Sequence, residues 1–285
     1  MRAVTWAGLL CVLGALATRP TWARAIPSQD SQEPIVSSDV FRPLLADPEQ
    51  SRFMAAYLAD HTQRIGSPLV DVGLGQTFGL ARFGPWQISL SAGAFSQFTL
   101  ATHSADLVNT DFLLGLPITY RHGAISTRLR VYHQSSHLGD EYLLHTGTTR
   151  VDLTYGAVEA LVAVEHGRFR EYGGGEYIFQ HHPSDLAPGR IHGGVEYRGA
   201  APVVHLGRFG AGRIVAAVDA KSLEARGWRT AISMLTGLDF GQEAEGEASG
   251  WRWRIAIRAY GGPSPYGQFY TQDLTSLGVE LDLIP

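Results

Sequence analysis

The sequence predicts an all-β chain: a closed antiparallel transmembrane β-barrel of about 12 strands behind an N-terminal signal peptide. Three observations carry this reading. Apolar and polar residues alternate with period two in repeated segments of about ten residues, from Leu69 to the C-terminus. The polar face bears charges in rows (Arg128, Arg130, Asp152, Glu196, Arg198, Arg252, Arg254, Arg258, Glu280), as a charged lumen would. Trp86, Trp251 and Trp253 stand at strand starts, where an aromatic girdle belongs. A soluble β-sandwich also alternates, but it needs neither the charge rows nor the girdle.

The N-terminus comes first. One Arg precedes an apolar run from Ala3 to Ala17, and "TWARA" supplies small residues at Ala23 and Ala25. That is the layout of a secretory signal over residues 1–25, cleaved after Ala25 or Ala23. The run is shorter than the roughly 20 residues of a membrane-spanning helix. The single cysteine, Cys11, lies inside it, so the exported chain would hold no disulfide and no thiolate metal site. Residues 26–50, with "SQDSQEPIVSSD", read as an exposed polar leader, and 51–285 as the barrel. A net charge of −4 gives no basic footprint for nucleic acid. The expected location is the bacterial outer membrane, with membrane lipids as partners and protein partners unknown.

Strand segments follow from parity. In "VDVGLGQTFGL", Val70, Val72, Leu74, Phe78 and Leu80 oppose Asp71, Gly73, Gly75, Thr77 and Gly79. Similar segments fall near 69–81, 85–98, 111–121, 124–136, 150–164, 168–180, 191–207, 213–221, 228–239, 251–260 and 277–284. "RFGP", "RHG" and "EHGR" are tight turns; 99–110, 137–149, 181–190 and 261–276 are long loops. In outer-membrane barrels short turns face the periplasm and strand number is even. An ascending strand is therefore expected within 50–64; otherwise that segment climbs the lumen as a plug. "GGPSPYGQFY", 261–270, is a Gly- and Pro-fixed loop whose aromatics could cover the barrel mouth.

"YHQSSHLGDE", 132–141, gathers the chemistry. By parity His133 and Ser135 point toward lipid, near the outer interface, while Arg128 and Arg130 point into the lumen, with Asp152 expected as their partner across the hairpin. Two residues on one strand face lie about 6.6 Å apart, close enough for an imidazole to lean toward a hydroxyl and activate it. The catalytic candidates are thus His133 as base and Ser135 as nucleophile toward an acyl ester; the bland alternative is a polar end to the apolar band. Asp140, Glu141 and His137 are candidates to orient the base or to bind a cation. No cofactor is required, although Asp140 and Glu141 would suit calcium or another divalent ion. A zinc-type site from His133, His137, Asp140 and Glu141 would need the chain to bend sharply, since the two histidines stand about 13 Å apart on a strand; the metal is unknown.

"FRPLLADPEQSRF", "RLRVYHQSSHLGDEYL", "YGGGEY" and "GGPSPYGQFY" resemble the bacterial envelope family catalogued as domain of unknown function 1207. This implies an envelope protein and transfers no activity. More loosely, His133-x-Ser135 is similar to the lipid-facing His-x-Ser pair of outer membrane phospholipase A and the lipid A deacylases, which implies a barrel lipid hydrolase. Those enzymes follow the Ser with Asn, where Ser136 stands here, and carry their orienting group about fourteen residues beyond the His, where Gly147 stands. The alternative function is a non-enzymatic pore, transport component or structural envelope barrel.

Overall fold

Alternation along the chain resolves into a continuous antiparallel sheet in the computed structural model, which describes residues 39–62, 65–207, 210–241 and 252–285. The strands are β1 (Phe53–Asp60), β2 (Leu69–Phe83), β3 (Trp86–Thr99), β4 (Leu107–His122), β5 (Ile125–Leu138), β6 (Leu153–His166) and β7 (Phe169–His182). They continue with β8 (Gly189–Arg198), the two-residue β9 (Val204–His205), β10 (Ala211–Leu223), β11 (Arg229–Gly241), β12 (Arg252–Pro263) and β13 (Asp273–Ile284). Twelve of them, all but β9, form the wall: β13 pairs with β1, and β10 pairs with both β8 and β11, so the sheet closes. Closure removes the exposed edges an open sheet would present. The strand expected within 50–64 is β1, which starts with Phe53 opposite Leu283 of β13.

Three hairpins turn in two residues, with Gly84, Gly123 and Gly167 at positive φ in the first turn position, where glycine meets no steric penalty. They lie at the end of the barrel where β13 finishes, where β8 also leads to β10 and β11 to β12; the other connections lie at the opposite end, the loop rim. Two boundaries differ from the sequence reading. The 137–149 loop is mostly the helix α1 (Asp140–Thr146), and the 191–207 segment ends at Arg198, with β9 returning to pair with β10. The signal region and Trp251 lie outside the described residues.

The outer face carries Leu74, Phe78, Leu114, Leu129, Val131, Ile257 and Leu281, all exposed, and Trp86 stands at the short-turn end. Inside, charges pair between strands. Arg258 reaches Glu280 at 3.2 Å and Asp71 at 3.3 Å, Arg254 reaches Asp282 at 3.2 Å, and Arg170 reaches Glu196 at 3.1 Å. Buried ions persist only where partners offset their lost hydration.

The lumen is not open. Residues 39–51 lie within it: Val40, Phe41, Leu44, Leu45, Ala46, Asp47, Gln50 and Ser51 are all buried. The expectation of an exposed leader therefore fails for its described part. Phe41 sits between two guanidiniums, with Arg128 at 4.9 Å and Arg170 at 4.5 Å from its ring centre. The plug's backbone is satisfied by the wall: Val40 N–H donates to Gln87, Leu45 N–H to Glu196, and Arg121 donates to the Val40 carbonyl. Lys221 of β10 binds Asp47 and Glu49, at 3.3 and 2.5 Å.

At the loop rim the 264–272 loop closes the mouth. Gly267 N–H donates to Asp111 at 3.0 Å, and Gln268 donates to the carbonyls of Ser136 and Val151 at 2.9 and 2.7 Å. Phe269 packs edge-on against Tyr142 of α1. Between plug and cap remains a cavity of about 60 Å³, bordered by Glu49, Tyr155, Arg190, Lys221 and Tyr260. That is room for about two waters.

Candidate active site

β5 is a long regular strand because Leu129, Val131 and their outward neighbours alternate with Arg128, Arg130, Tyr132, Gln134 and Ser136, which are buried. His133 therefore faces outward and is exposed, and Ser135 shares its face, half-buried. Arg128 and Arg130 face the lumen. Their partner is Glu159, directly opposite Arg130 on β6, at 2.8 Å from each guanidinium. Asp152 is not that partner. It is 83% exposed at the loop rim, outward like Thr154, and its carboxylate stands 3.5 Å from His182 Nε2.

The register lays out a polar row on the outer surface. Ser135 is opposite Phe112 of β4 on one side and Thr154 of β6 on the other; Thr154 is in turn opposite His182 of β7. His133 faces Gly156. Its ring leans across the hairpin, and its Nε2 lies 3.2 Å from Thr154 Oγ1. No hydrogen bond joins His133 to Ser135 among the described residues.

Gly156, opposite His133, has no Cβ where Phe179 packs. A Cβ there would come within 3.0 Å of the Phe179 ring, and Phe179 owes its position to a β-bulge in β7, where the register slips opposite Gly156 and Ala157. Thr154 and Phe179 carry no sequence spacing that would mark them; only the register reveals them.

The orienting and cation candidates do not gather around His133. Asp140, 83% exposed, is ion-paired with Arg150. Glu141 is exposed on the first turn of α1, and the His137 ring packs edge-on against Phe112, 5.7 Å away. None of the three bonds to His133 among the described residues, and the zinc-type arrangement does not form. The one cluster of metal-ligand type among the described residues is Asp47, His192 and Asp219, buried where plug meets wall. There His192 Nε2 lies 2.6 Å from Asp219, Tyr172 also bonds Asp219, and Lys221 satisfies Asp47. These groups complete one another's hydrogen bonding as they stand.

Above the site, His145 of α1 pairs with Asp106 of the β3–β4 loop. Hydrogen bonds from Ser104 and then His145 hold the Asp106 carboxyl below the usual carboxylate range, and the Asp106 hydrogen bond raises the His145 imidazole.

Comparison with known proteins gives a family and a fold. The profile of a family described as "Protein of unknown function (DUF1207)" matches residues 21–283. No curated protein matches the sequence. Among solved structures, the outer membrane phospholipase dimer of Salmonella typhi with bound calcium aligns with a TM-score of 0.57 at 12% identity, covering 82% of this chain and 90% of that one. Outer membrane phospholipase A from Escherichia coli aligns with a TM-score of 0.57 at 13% identity, covering 90% and 94%. At such identity the likeness is one of fold.

Proposed function

We propose that this chain, which belongs to the DUF1207 family, is an outer-membrane barrel that hydrolyses lipid acyl esters from its lipid-facing surface. The observation that carries this reading is the shared outward face of His133, Ser135 and Thr154, with the imidazole bonded to Thr154 beside Ser135. Polar groups at that height meet the headgroup and ester region of a leaflet, while the apolar band below meets acyl chains.

In this reading His133 takes the proton of Ser135 Oγ as the oxygen attacks the ester carbonyl, then returns it to the departing alcohol. A water activated the same way releases the acyl group. Thr154 holds the ring. The calcium of the Salmonella phospholipase has no ready counterpart, because Asp140 is engaged by Arg150 and Glu141 stands apart from His133; no step is assigned to a cation. The buried segment 39–51 and the 264–272 cap, both packed within the barrel among the described residues, stand against the open-pore alternative.

The test is fatty-acid release from phospholipid in detergent micelles by refolded protein. Activity lost in both Ser135→Ala and His133→Ala, with heat-modifiable gel migration unchanged, supports the reading. Wild-type protein that hydrolyses no acyl ester refutes it.

A further inference from the structure

We propose that His182, positioned by Asp152, forms a subsite for a phosphate group carried by the acyl-ester substrate. This rests on the hydrolase reading above and extends it to the class of lipid.

The geometry is that of the polar row. Thr154 is the register partner of both Ser135 and His182, so the three lie at one height on adjacent strands. Neighbouring strands are about 4.8 Å apart, which sets His182 roughly 10 Å from Ser135 at the backbone. In a glycerophospholipid the glycerol unit separates ester from phosphate by a comparable reach. A lipid whose ester lies at Ser135 would bring its phosphate toward β7.

The chemistry fits an anion there. His182 ends β7 at the rim, its side chain 58% exposed, and Asp152 Oδ2 lies 3.5 Å from its Nε2. With Nε2 beside the carboxylate, Nδ1 is the ring nitrogen left to meet an anion. Beneath the row the surface turns apolar, with Tyr177 and Phe179 of β7 and Val131 of β5 exposed. A ligand spanning both zones is apolar below and anionic at the rim. A neutral glyceride would leave His182 unused.

Two measurements test this. The first compares kcat/KM for phosphatidylglycerol and for diacylglycerol in the same micelles. His182→Gln should lower the phospholipid-to-diacylglycerol ratio about tenfold, the loss of one charge-assisted hydrogen bond, and Asp152→Asn should lower it less. An unchanged ratio overturns the proposal. The second needs no activity. In Ser135→Ala protein, the His182 ring resonances should shift when dodecylphosphocholine is added to maltoside micelles, and should not shift with inorganic phosphate at equal concentration. No shift with dodecylphosphocholine, or equal shifts with both, overturns the proposal. If wild-type protein hydrolyses no acyl ester while the resonances respond to dodecylphosphocholine, the hydrolase reading fails and the phosphate subsite stands.

Discussion

Thr154 Oγ1 lies 3.2 Å from His133 Nε2, across a hairpin whose two strands are separated in sequence by a helix and a loop. In the proposed hydrolase this contact is the third group that holds the imidazole, and it makes the first prediction. Thr154→Val keeps the shape and removes the hydroxyl, so ester hydrolysis should fall about tenfold, in line with one hydrogen bond of about 1.4 kcal/mol. Thr154→Ser should recover most of it. Equal activity in Thr154→Val and wild type would remove Thr154 from the site.

Glu159 is the counter-charge of both Arg128 and Arg130 deep in the lumen. Glu159→Ala would strand two buried guanidiniums, at a cost of about 3–5 kcal/mol. The temperature at which the folded gel band converts to the unfolded one should fall clearly. Asp152→Ala, at the exposed rim, should leave that temperature within experimental scatter.

The contrast between Glu159 and Asp152 shows what the sequence could and could not reveal. Parity on β5 was legible because one side is apolar and exposed and the other carries buried charge. On β6 it misled, because Leu161 and Ala163 face inward and pack against Phe41 and Leu44 of the plug. An apolar lumen face erases the alternation, and Asp152 then reads as inward. The plug itself has no period, since an irregular segment inside a barrel is held by scattered contacts such as Lys221 to Asp47 and Glu49. The need for a strand near 53–60 was legible from strand number and end alone. Thr154 was not, because the length of chain folded into α1 has no signature in spacing.

The plug predicts electrical silence. Wild-type protein in planar bilayers should show no steady conductance, whereas deletion of residues 39–50 should open the axis and give conducting steps. Deletion protein that folds to a heat-modifiable band and stays silent would contradict the plug's role. So would steady conductance by wild type.

The Asp106–His145 pair predicts a pH window for the docking of α1. Asp106 is lowered, so its contribution is present above the ordinary carboxylate pKa of about 3.9 and is lost as pH falls through its folded value. His145 is raised, so its contribution is full below about 6.5 and is lost as pH rises through its folded value. Amide-exchange protection of α1 should therefore be highest between about pH 4 and 6.5 and decline on either side. His145→Gln should flatten the alkaline decline; an unaltered profile would exclude the pair as its source.

The most direct measurement of the central claim is the location of a covalent adduct. A lipid-like fluorophosphonate added to refolded protein should be found by peptide mass spectrometry on Ser135 alone, with labelling lost in His133→Ala and slowed in Thr154→Val. Adduct on another hydroxyl, Thr154 included, or equal labelling of Ser135 with and without His133, would contradict the account.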